Sequence, residues 1–154
     1  MEILLRNAQR KIPVDTRRLK RQAAEILQLL DRPESELSIL LTNDAKIRDL
    51  NYNYRKKDQP TDVLSFPQDA GVVNESGLEI LGDVVISVET ARRQAEDHGL
   101  SLEQELVLLL THGILHLMGL DHERSAQEAR LTQRRTKKVL TTLYPGLRTA
   151  GNRF

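Results

Sequence analysis

From Leu106 to Leu117 the chain reads LVLLLTHGILHL, a run that turns an apolar residue toward almost every side of a helix. A helix of that kind needs cover on all its faces and belongs in the middle of a domain. Its ends are marked locally: Ser101 and Gln104 have the spacing of a capping box in front of it, and Gly119 supplies the residue that can stop it in a left-handed conformation. The apolar stretch around Leu106–Leu110 falls far short of the roughly 20 residues needed to cross a bilayer. A buried helix in a soluble domain is therefore expected, and the rest of the chain has to supply its cover.

The remaining sequence alternates between short β-prone runs and periodic helical ones. Glu2–Leu5 reads as a strand, and Asp15 can cap a helix with Leu19, Ala23, Ile26, Leu27 and Leu30 on one face. Glu36–Thr42 returns to strand, and Asn43 can cap a second helix with Ile47 and Leu50 inward. An irregular polar segment is expected from Tyr52 to Thr61, then a short strand, Asp62–Phe66, a loop containing Gly71, Asn74 and Gly77, and a strand at Ile80–Ser87. Ser87 can cap a helix ending at Gly99, and a last helix, with a possible box at Ser125 and Glu128, runs toward Pro145 and Gly146. The pattern predicts an α/β (α+β) fold, a single mixed sheet of about four strands covered by helices, with the order of the strands left open. At 154 residues, one domain over 1–154 is expected.

Composition excludes several chemistries. Cysteine is absent, which removes disulfides, thiolate nucleophiles and cysteine-held zinc and leaves histidine as the soft metal ligand. The N-terminus, MEILLRNAQRK, lacks the apolar region and cleavage site of a secretory signal, so a cytoplasmic location is expected. Net charge is only +1, yet it is unevenly placed. Eight Lys or Arg stand against one acid between Arg124 and Phe154, and seven more lie in residues 6–21. Two basic ends that met would suit a polyanion; solvated helix faces explain the same charges. Aromatics make up 3% of the chain, so a grip on nucleic acid would depend on charge more than on stacking.

Three of the four histidines fall in THGILHLMGLDH, at 112, 116 and 122. His112 and His116, four apart on a helix, share a face with Cβ atoms about 5–6 Å apart. A turn after Gly119 can return His122 as a third nitrogen, leaving a fourth position for water, as in catalytic zinc sites. A single core histidine is usually just hydrogen-bonded, but three beside Leu109, Ile114 and Met118 would leave several nitrogens to satisfy, and one ion satisfies three together. His98, before Gly99, fits the C-terminal end of a helix and is assigned a structural role; Asp121 can orient a ligand imidazole or simply occupy a turn. The spacing matches the metzincin protease pattern H-E-x-x-H-x-x-G-x-x-H except that Gly113 stands where the general-base Glu is required, with Glu105 and Glu123 as conceivable substitutes.

HGILHLMGLDH resembles the signature H-G-x-L-H-L-x-G-Y-D-H of the YbeY endoribonucleases, ribosomal RNA maturation factors of bacteria, with Leu120 in place of the usual Tyr. Asn51–Pro67 (NYNYRKKDQPTDVLSFP) and Leu81–Ser87 (LGDVVIS) resemble that family's two other motifs, in the expected order. The resemblance implies one zinc ion per chain on His112, His116 and His122, and catalysis by Arg55 together with His112. It implies single-stranded RNA as substrate, 16S rRNA 3′-end maturation and ribosome quality control as the setting, and the ribosome or its small subunit as partner, with no membrane and no DNA. Asp62, Ser65 and Asp83 fall in the other motifs without an assigned role. Two alternatives stay open: a non-catalytic, zinc-stabilised assembly or RNA-binding factor, and a peptidase-like hydrolase.

Overall fold

The computed structural model describes residues 1–147. Element order is β1 (Glu2–Asn7), α1 (Thr16–Leu29), β2 (Ser35–Thr42), α2 (Asp44–Arg55), β3 (Val63–Pro67), β4 (Glu79–Ser87), α3 (Val88–His98), α4 (Leu102–Leu117) and α5 (Ala126–Leu143). The strands form one sheet in the order β1-β2-β4-β3, with β1, β2 and β4 parallel and β3 antiparallel to β4 at the edge. This is the mixed, helix-covered α+β sheet the sequence predicts. The one break in register lies between Glu36 and Leu37, opposite Leu81, beside Gly82 at φ +135°.

Alternation along the strands sorts the two faces of the sheet. Leu37, Ile39 and Leu41 of β2, with Val84 and Ile86 of β4, point to the main core, where they meet Leu19, Ala23, Ile26 and Leu27 of α1 and the apolar body of α4. α4 is buried from Glu105 to Thr111 and again from Gly113 to Leu115, packed between the sheet, α1, α3 and α5. The opposite face is covered only in part, by α2 through Ile47 and Leu50 on Leu40, Leu64, Phe66 and Val85.

The caps form where the short-range pattern places them. Asp15, Asn43, Ser87, Ser101 and Ser125 each accept a backbone N–H at their helix N-terminus, and the Ser101–Gln104 box is complete in both directions. At Ser125 the box is half made, because the Glu128 carboxylate turns to Arg124 instead. One boundary differs from expectation: Tyr52–Arg55 is the last turn of α2 and not irregular chain. The polar Asn51 faces inward there and donates to the Gln59 carbonyl at 2.9 Å, so helix and following segment are tied by a polar contact that hydrophobic periodicity does not register. Lys56, at φ +61°, then ends the helix. Among the described residues no helix is long and apolar enough to cross a membrane.

Candidate active site

α4 touches the sheet through a residue without a side chain. A Cβ at Gly113 would stand 2.6 Å from Val84 Cγ1 and 3.2 Å from Ser65 Oγ, and the Ser65 hydroxyl donates to the Gly113 carbonyl at 3.1 Å. There is no room for the glutamate that a metzincin carries at this position. His112, the neighbour of Gly113 in sequence, lines the same cleft as Val63, Leu64 and Ser65 of β3.

His112 is half-buried, and its Nε2 is enclosed without a hydrogen-bond partner. Burial drives its pKa down to about 4, only partly opposed by the Asp62 carboxylate, so the ring is neutral near pH 7. A neutral imidazole with an unsatisfied, enclosed nitrogen is the state a metal ligand requires. His116 lies one turn on and is exposed. Gly119, at φ +95°, turns the chain, and the loop after it is held by the Arg124 guanidinium, which donates to the Gly119 carbonyl and to both Glu128 oxygens. His122 sits exposed in that loop beside Asp121, whose carboxyl is held below the usual range first by the Glu123 backbone N–H.

All three histidines line one cleft of about 770 Å³. Arg55 reaches it from the last turn of α2, Asp62 and Ser65 from the start of β3, and Gln133 from α5. The four residues put forward from sequence, Arg55, His112, His116 and His122, are thus brought to one site although Arg55 is far from the others in the chain. Among the described residues no three His, Asp or Glu side chains converge on a single point as they stand. His116 and His122 are exposed, while His112 is half-buried. Asp83 does not join the cleft; it points to the opposite face of the sheet, where burial raises its pKa.

Two residues were undervalued by the sequence reading. His98 does end α3, as expected for a helix C-terminus, but it also lines the cleft, and its Nδ1 pairs with the Glu105 carboxylate. Glu105 is fully buried in α4, and burial pushes its pKa up against the opposing effect of His98. This pairing rules Glu105 out as a substitute for the missing base, because its carboxylate faces His98 and not the cleft. The signal was present: Glu105 is the one acid within the apolar body of α4, seven residues before His112 and so on the same stripe.

The family model described as Endoribonuclease YbeY matches residues 4–144. A relative from Geobacter sulfurreducens, named Endoribonuclease YbeY, is 42% identical over 147 residues, covering 95% of this chain and 98% of its own. A second, from Aquifex aeolicus and of the same name, is 43% identical over 145 residues, covering 94% and 93%. Among solved structures, that of TM1509 from Thermotoga maritima superposes with a TM-score of 0.63 at 25% identity, over 95% of this chain and 99% of the other. With a matching fold, three ordered motifs and near end-to-end similarity to these relatives, the chain belongs to the Endoribonuclease YbeY family.

Proposed function

We propose that this chain is a zinc-dependent, single-strand-specific endoribonuclease acting in the cytoplasm on ribosomal RNA, in 16S 3′-end maturation and ribosome quality control. The observation that carries the reading is the enclosed, unpartnered Nε2 of a neutral His112 in a cleft shared with His116, His122 and Arg55. His112, His116 and His122 would hold one zinc ion per chain, which when bound supplies Lewis-acid charge toward a phosphodiester. Arg55 is exposed at the cleft and would take the non-bridging oxygens of that group through two parallel N–H donors. His98, paired through Nδ1 with the Glu105 carboxylate, lines the same cleft. Gly113 speaks against the peptidase reading, since the packing leaves no space there for a general base.

The test is cleavage of a single-stranded rRNA fragment by protein stripped with a chelator and then resupplied with zinc, with metal content measured at each stage. Loss and recovery of cleavage with about one equivalent of zinc is expected. Cleavage that persists in metal-free protein would overturn the zinc dependence, and zinc uptake with RNA binding but no cleavage would favour a non-catalytic assembly factor.

A further inference from the structure

Behind the cleft, on the sheet face that α2 leaves partly bare, lies a second hollow of about 770 Å³. Its floor is the pleat of β1, β2 and β4, including Leu4 and Leu40, and its wall toward α2 is made by Tyr54 and Phe66. These two rings meet edge to face with centroids 5.0 Å apart, so Phe66 braces Tyr54, which is nonetheless 68% exposed. In a chain with only three Tyr and two Phe, two aromatics fixed against each other at an open hollow make a defined stacking surface. Arg6 and Lys20 border the same hollow, against one acid, Asp83.

The two hollows are linked through neighbouring residues of the chain. Arg55 lines the cleft and Tyr54, the residue before it, lines the hollow; Ser65 lines the cleft and Phe66, the next residue, lines the hollow. The last turn of α2 and the edge strand β3 therefore separate them, and a strand of nucleic acid held at Arg55 could pass round that edge. We propose that the hollow is a nucleobase subsite for single-stranded RNA, in which a base next to the cleavage site stacks on Tyr54 while Arg6 and Lys20 meet the backbone phosphates. The inference rests on the endoribonuclease reading and adds to it where the substrate runs. It also amends the expectation drawn from composition: aromatics are few, but the braced pair is concentrated beside the cleft.

The experiment is anisotropy with an end-labelled single-stranded RNA of about twelve nucleotides, together with quenching of 2-aminopurine placed within it. Parent, Tyr54→Ala, Tyr54→Phe and, as a neighbour outside the hollow, Tyr52→Ala are compared. Tyr54 is exposed, so its truncation should leave the fold intact, which circular dichroism checks. The expected result is about a tenfold loss of affinity and loss of quenching in Tyr54→Ala, with both kept in Tyr54→Phe and in Tyr52→Ala. Parent-like affinity and quenching in Tyr54→Ala overturn the proposal, as does an effect of Tyr54→Ala on self-association in sedimentation without one on RNA binding. A parent that binds no single-stranded RNA brings down the endoribonuclease reading itself, an outcome distinct from the other two.

Discussion

Gly113 decides more than its size suggests. Its missing Cβ lets α4 lie against Val84 and lets Ser65 reach the backbone carbonyl. A Gly113→Ala variant is expected to be less stable by about 1–3 kcal/mol through overpacking, read as a shift in the urea midpoint. His112 carries a pH signature. Its folded pKa, about 4, lies below the roughly 6.5 of an unfolded histidine. The fold therefore favours the neutral ring, and the contribution is fully present above pH 6.5 and lost as pH falls toward 4. Metal-free protein should lose on the order of 2 kcal/mol across that window from this residue, and His112→Gln should remove that part of the slope, as urea titrations at stepped pH would show.

α4 is the element on which the others are assembled, and its N-terminus is the clearest signal in the chain. Both hydrogen bonds of the Ser101–Gln104 box are made, at 3.1 and 2.9 Å. Ser101→Ala should cost about 1 kcal/mol, measured as a lower urea midpoint with an unchanged slope. Caps of this sort were legible because they depend on residues three apart. The same holds for His112 and His116, which share a helix face by spacing alone. What was not legible is non-local. That β3 turns back antiparallel on β4 and ends the sheet depends on pairings between Val63–Pro67 and Gly82–Ile86 that no local pattern encodes. The meeting of His98 with Glu105 depends on how α3 packs on α4. The last turn of α2 was missed because its inward residue is Asn51, held by a hydrogen bond to Gln59 and not by apolar burial.

Taken together, the elements arrange charge as well as shape. α1 and α5 are neighbours, tied by the Gln22 amide donating to the Tyr144 hydroxyl at 2.7 Å. Arg17, Lys20 and Arg21 of α1 and Arg134, Arg135, Lys137 and Lys138 of α5 are all exposed, as solvated helix faces are, and the two helices that carry them touch. Arg148 and Arg153, counted with them from sequence, lie outside the described residues. α5 also borders the cleft through Gln133, so a helix with several exposed basic residues reaches the histidine cleft. The central claim is that the histidine cleft cleaves RNA. It is met most directly by incubating a single-stranded rRNA fragment with the parent protein and with His116→Ala, purified side by side so that a contaminating nuclease would act in both. Because His116 is exposed, its truncation leaves the core untouched. Cutting by the parent with a loss of at least about a hundredfold in the variant is the predicted result; equal cutting by both, or none by a parent that holds zinc and binds the RNA, would contradict it.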